Sequence, residues 1–294
     1  MNTGVELFRT CVDTGCPTWK IVPCHRMLFV GSCFAASMGK LFTDNCFQTL
    51  VNPYGVMYNP ASVLHTLERL SQEDNLFQPD VAIVTLGTNH VYILKENGLI
   101  VDNCNKQPHH LFREEELSVE QCRRYLERCV QLLRQMNSQV HIIFTVSPIR
   151  YAKYGFHGSQ LSKATLLLAC HELLQSEQAV NYFPAYEIVN DELRDYRFYA
   201  SDMLHPSEQA VDYIFRRFAQ AFFSEEAVRF VDDWQPLAKA LAHRPLHPGS
   251  AEHERFLEAT RRQLSAFREK YPFTGEPAPM PLTSSEAPGP HTQP

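Results

Sequence analysis

Three short apolar runs, each closed by a glycine or a proline, constrain this chain most. Met27–Gly31 (MLFVG), Asp80–Gly87 (DVAIVTLG) and His141–Pro148 (HIIFTVSP) are continuous rather than alternating. Such runs suit strands buried on both faces of a parallel sheet. Val180–Val189 (VNYFPAYEIV) reads as a fourth. Helical patterns lie between them. Ser118 and Gln121 have the spacing of a capping box, and behind them Val119, Cys122, Leu126, Cys129, Leu133 and Met136 recur at steps of three and four. Ser159–Glu177 reads as a second helix, and Pro206 as the start of a third with Val211, Ile214, Phe215, Phe218 and Phe222 facing inward. Strands alternating with helices predict an α/β sandwich with a mostly parallel sheet.

Two stretches depart from that alternation. Val91–Ile100 reads as a hairpin turned at Glu96-Asn97-Gly98. Residues 225–242 and 252–270 read as two further helices. The expected organisation is an α/β domain over 1–223, a helical extension over 224–271 and a tail over 272–294. That tail holds seven prolines in 23 residues and neither lysine nor arginine, a composition expected to be disordered.

Composition narrows the function classes. At 294 residues and a net charge of −6, the chain is long enough for a substantial core and lacks the basic excess of a nucleic-acid binder. No run reaches the roughly 20 apolar residues of a membrane span, and the first residues lack the pattern of a secretory signal. The nine cysteines include no CxxC pair, so neither a metal site nor a disulfide framework is expected. The expected setting is a reducing cytoplasm, with no nucleic-acid or membrane partner.

Candidate chemistry sits at the strand ends. Gly31-Ser32-Cys33-Phe34-Ala35 follows the first run, where a strand–turn–helix junction would present a hydroxyl or a thiol beside free helix N–H groups. Asn89, in Thr85-Leu86-Gly87-Thr88-Asn89-His90, is placed to donate to an oxyanion from the same sheet edge. Asp202 stands three residues before His205, a spacing that lets the carboxylate fix the imidazole as a general base. Arg150, just past the third run, should stand at the rim and is suited to a carboxylate or phosphate. Tyr196 and Tyr199, with Phe198, offer a stacking wall for a sugar.

In combination these segments resemble the GSCFA family, a branch of the SGNH (GDSL-like) hydrolase superfamily. The resemblance rests on GSCFA at 31–35, Asn52-Pro53-Tyr54-Gly55-Val56-Met57-Tyr58-Asn59-Pro60, Gly87-Thr88-Asn89-His90, Ser147-Pro148-Ile149-Arg150 and the run from Tyr196 to Ser207. It spans about residues 7–223 and implies a flavodoxin-like three-layer α/β/α sandwich. It also implies ester hydrolysis or acyl transfer, often on carbohydrates, with no metal or organic cofactor. By position, Gly55 and Asn89 resemble the superfamily's oxyanion-hole residues, and Asp202 and His205 its acid and base. The first block differs. A strict register makes Cys33 the nucleophile, and a one-residue shift makes it Ser32. The third block differs too, with His90 where aspartate is common. The expected activity is removal or transfer of O-acyl, chiefly O-acetyl, groups on a small-molecule or glycan ester. The competing expectation is an inactive module that binds such a ligand in the same cleft.

Overall fold

The computed structural model describes residues 10–73, 77–104, 107–177, 179–245 and 249–274. In chain order, β1 (Arg26–Gly31) leads into α1 (Cys33–Asp44), β2 (Gln48–Val51) and α2 (Pro60–Leu70). After β3 (Val81–Leu86) comes an antiparallel insertion of β4 (His90–Leu94), β5 (Ile100–Val101) and β6 (Phe112–Glu116). The chain continues through α3 (Val119–Met136), β7 (His141–Val146), α4 (Gly155–Ser176), β8 (Val180–Tyr182) and a single turn, α5 (Ala185–Glu187). It closes with α6 (Glu208–Phe222), α7 (Glu225–Ala242) and α8 (Ala251–Lys270).

The central sheet has the order β2-β1-β3-β7-β8, and every pairing in it is parallel. Numbered among themselves, its strands run 2-1-3-4-5, the flavodoxin-like doubly wound arrangement. Alternate residues of each buried strand feed opposite layers. Met27, Phe29, Val81, Ile83 and Ile143 pack with α1 and α6, while Leu28, Val30, Ala82, Val84, Ile142 and Phe144 pack with α2, α3 and α4. This two-sided burial explains the absence of polar alternation in the apolar runs. Ser118 and Gln121 form the reciprocal capping box at the start of α3. The strand order reverses between β1 and β3, the point at whose carboxyl ends sheets of this kind bind ligands.

Some elements differ from the sequence reading. The fourth run is a strand only over Val180–Tyr182. Pro184 cannot donate to a ladder, and the chain instead turns into α5 and a π-helical turn, Ile188–Glu192, that buries Ile188 and Val189. The insertion pairs β4 with β5 as the hairpin reading requires, with Gly98 at φ +72° in the turn, and adds β6 on the other edge of β4. Ser207, rather than Pro206, starts α6, its hydroxyl accepting from the Ala210 N–H at 3.2 Å.

The C-terminal helices share the apolar layer behind α1. Phe230, Trp234, Leu237 and Phe267 lie in one cluster with Phe29 and Phe42. Trp234 Nε1 donates to the Asp44 carbonyl at 2.6 Å, and Gln235 Nε2 to Asn45 Oδ1 at 3.0 Å. Both bonds hold the carboxyl end of α1, opposite the end that bears Cys33. Of the proline-rich tail, 272–274 form a short turn, and the rest lies outside the described residues.

Candidate active site

The β1–α1 junction gives each residue of GSCFA a task. Gly31 pairs with Thr85 of β3 so closely that a Cβ on it would lie 2.0 Å from the Thr85 carbonyl oxygen. Ser32 is fully buried, and its N–H donates to the Thr85 carbonyl at 3.1 Å. Its hydroxyl lies 2.9 Å from Thr85 Oγ1 and accepts from the Phe34 N–H, capping α1. Such a cap contributes about 1 kcal/mol. Phe34 and Ala35 are buried in the core. Cys33, the first residue of α1, is half-buried, and its Sγ lies 3.6 Å from the Tyr58 hydroxyl.

The segment 52–60 straps the ends of β1 and β3 together. Asn52 Oδ1 accepts from the Gly31 N–H at 2.9 Å, and the Met57 N–H donates to the Gly31 carbonyl at 2.9 Å. The Tyr58 carbonyl accepts from both Gly87 and Thr88 N–H at 2.8 Å. Gly87 leaves no room for a side chain, since a Cβ would meet the Tyr151 hydroxyl at 2.4 Å. Burial and the adjacent Cys33 push the Tyr58 phenol up to about 12, so it is a neutral donor at ordinary pH.

A buried cation underpins the same edge. Lys163 of α4 is 2% exposed, and its Nζ donates to the carbonyls of Gly87 at 2.6 Å and Ser147 at 2.7 Å, joining the ends of β3 and β7. Burial pulls its pKa down to about 7. Its neighbour Ser162 is bonded to Thr88 Oγ1 at 2.9 Å and accepts from the Asn89 N–H at 3.0 Å. The ring of His90 stacks on Tyr154 at 3.6 Å.

The third part is the loop before α6. Asp202 Oδ2 lies 2.6 Å from His205 Nδ1, while its Oδ1 accepts from the N–H groups of Leu204 and His205 at 2.9 and 3.0 Å. The two backbone N–H groups and the imidazole hold the Asp202 carboxyl down at about 2. Met203 takes φ +59° to close the turn, and Tyr199 pairs with Pro206 across it. The Arg150 N–H donates to the Leu204 carbonyl at 3.1 Å, tying the loop to the chain leaving β7. Above it the Arg150 guanidinium lies 3.9 Å from the Tyr199 ring and 6.0 Å from the Tyr196 ring, with Tyr196 70% exposed.

The structure thus pairs Cys33 with Tyr58, Asp202 with His205, and Arg150 with Tyr199 and Tyr196. No hydrogen bond joins Cys33 to His205. The two nominated oxyanion donors are engaged elsewhere. The Gly55 N–H closes a turn onto the Asn52 carbonyl at 2.9 Å, with Gly55 at φ +97°. Asn89 Nδ2 donates to the Leu117 carbonyl at 2.8 Å while its Oδ1 is buried without a partner. The Cys33 N–H, in the first turn of α1, has no acceptor among the described residues, as expected of a helix start. Sequence reasoning did not single out Tyr58 or Lys163. Lys163 carried a signal, being in step with Leu166, Cys170 and Leu173 on the inward face of α4. Among the described residues, no His, Cys, Asp or Glu group is arranged to hold a metal, and no helix is long and apolar enough to cross a membrane.

A parallel sheet of this order, with a thiol at the first βα turn and an Asp–His pair on the loop before α6, defines a doubly wound α/β protein with its candidate site at the carboxyl edge. The chain belongs to the GSCFA family, whose profile matches residues 26–82 and 73–218, and the profile of the GSCFA C-terminal domain matches 234–275. No curated protein matches the sequence. Among solved structures, it is similar to an acetylxylan esterase from Geobacillus stearothermophilus, at 14% identity and a TM-score of 0.46 over 70% of this chain and 97% of that one. It is also similar to an esterase from Pseudoalteromonas, at 13% identity and a TM-score of 0.42 over 67% and 96% of the two chains. A carbohydrate esterase of family 3 from Talaromyces cellulolyticus matches at 8% identity and a TM-score of 0.41 over 71% and 99%.

Proposed function

We propose that the protein is a thiol-dependent O-acyl esterase or acyltransferase that acts on O-acetyl groups of a carbohydrate, with Cys33 as nucleophile and His205, oriented by Asp202, as base. The single observation that carries this reading is the division of labour at the GSCFA turn: the Ser32 hydroxyl is consumed by Thr85 and the helix cap, while the Cys33 thiol is left at the crevice. His205 takes the thiol proton as sulfur bonds to the acyl carbon. The ester C–O bond breaks, and the leaving alkoxide takes that proton from His205. Water or an acceptor hydroxyl then gives a proton to His205 and attacks the thioester, and the departing thiolate recovers it.

The developing oxyanion calls for N–H or O–H donors. The Cys33 N–H and the Tyr58 hydroxyl are the donors we assign, with the second N–H of Asn89 as a third. Gly55 serves by shaping the strap. Intact-mass measurement after brief mixing with an activated acetyl ester tests the scheme. The wild type should gain one acetyl group, Ser32→Ala should keep it, and Cys33→Ala and His205→Ala should lose it. An adduct lost with Ser32 instead would reverse the assignment of nucleophile. Neither adduct nor turnover, with ligand still raising the melting temperature, would make the protein a binding module.

A further inference from the structure

The pocket beside the Asp–His loop holds an unanswered guanidinium. A cavity of about 390 Å³ is lined by Arg150, Asn190, Asp191, Arg194, Asp195 and Tyr196, among others. Arg150 Nε and Nη2 are both buried and have no hydrogen-bond partner. A charged donor stripped of water without an acceptor is costly, and native structures rarely retain one without a use. The carboxylates that line the cavity do not answer it. Asp195 is engaged with the N–H and guanidinium of Arg197, and Asp191 makes no bond to Arg150.

The two orphaned atoms are also the informative pair. Nε–H and one Nη2–H lie on the same edge of the guanidinium and point in parallel, the fork that matches two oxygens of a carboxylate or phosphate. Tyr199, with its ring 3.9 Å from the guanidinium carbon, fixes the plane of that fork from its face, and Phe156 lies 5.4 Å from the same carbon. The Arg150 backbone N–H, bonded to the Leu204 carbonyl, anchors the residue to the loop that carries His205.

We propose that this pocket is an oxyanion subsite, and that the ester substrate carries, beyond its acyl group, an acidic function presenting two adjacent oxygens: the carboxylate of an acidic sugar or a sugar phosphate. The identity of the bound group as part of a substrate rests on the esterase reading above; the oxyanion site itself does not. The subsite selects the substrate by a bidentate bond that a neutral sugar cannot make.

Equilibrium binding to Cys33→Ala, which cannot form the thioester, separates the two ideas. The probes are O-acetylated glucuronate, O-acetylated glucose 6-phosphate and neutral O-acetylated glucose. At least one acidic probe should bind about tenfold or more tighter than the neutral one, the scale of a charge-assisted hydrogen bond, and the tighter acidic probe identifies the source. Adding Arg150→Met should abolish the preference. Arg150→Lys, which keeps the charge but not the fork, should lose most of it, with melting temperatures confirming that both variants fold. Equal affinities for the three probes, or a preference that survives Arg150→Met, overturns the subsite. Turnover of a neutral ester by the wild type is scored separately, so the esterase reading can stand or fall on its own.

Discussion

Replacing Lys163 by methionine removes the buried amine that bridges the ends of β3 and β7, and its signature is a change in how stability depends on pH. In the unfolded chain a lysine titrates near 10.5, whereas burial brings the folded value down to about 7. Between about pH 7 and about pH 10.5 the unfolded state therefore binds more protons than the folded one, and stability rises with pH. Over the two units from about pH 7 to about pH 9, at about 1.36 kcal/mol per unit, the gain is about 2.5 kcal/mol. The variant lacks this contribution while sharing every other titrating group. Urea unfolding of both proteins across that range should show curves that diverge by that amount, the wild type gaining as pH rises. Methionine also leaves the Gly87 and Ser147 carbonyls unpaired, a pH-independent loss of roughly 1–3 kcal/mol each. Parallel pH curves would show that Lys163 titrates normally and that its burial does not set its charge.

Three further outcomes are expected. Asp202→Asn should lower acyl turnover by about 10³–10⁴-fold with the melting temperature little changed; because the carboxyl of Asp202 is held at about 2, no loss of wild-type activity above about pH 4 should trace to it, as a rate–pH profile of wild type can check. Gly31→Ala should cost more than about 4 kcal/mol, since the added Cβ would stand 2.0 Å from a β3 carbonyl, and soluble expression with a normal denaturation midpoint would contradict the packing described. Tyr58→Phe should lower turnover by roughly 10²-fold while KM for a neutral ester stays within about twofold, measured by steady-state kinetics; a change confined to KM would place the hydroxyl in binding rather than in charge stabilisation.

The sheet was legible because its strands are buried on both faces. MLFVG, DVAIVTLG and HIIFTVSP contain almost nothing but apolar and β-branched residues, and each became a strand. The edge strands were not legible for the opposite reason. QTLV at β2 is largely half-buried and FREEE at β6 is exposed beyond Phe112, and their pairing is decided by neighbours distant in sequence. VNYFPAYEIV misled because its apolar residues are real but are buried by a helical turn after Pro184. At the site, Asp202 and His205 could be joined by spacing alone, since their geometry is local. The tasks of Ser32 and Cys33 could not be separated that way. Which side chain turns inward depends on Thr85, and only the parallel register of β1 on β3 puts Thr85 beside Ser32. Lys163 was hidden by the habit of reading lysine as solvent-facing, although its position in the helix argued otherwise.

The loop from Tyr199 to Pro206 is nearly self-sufficient. Asp202 is bonded to backbone N–H groups two and three residues on, the Ala200 N–H donates to the His205 carbonyl, and the ends pair with each other. The thiol, by contrast, owes its place to the packing of two strands, a strap and the far end of α1. The two halves of the site therefore evolve under different constraints. Drift in the exposed loop can remove His205, the base proposed above, without a penalty in folding. Change at the GSCFA turn takes the whole domain with it. Lineages that abandon the proposed chemistry should lose the histidine first and keep the glycine and serine long after.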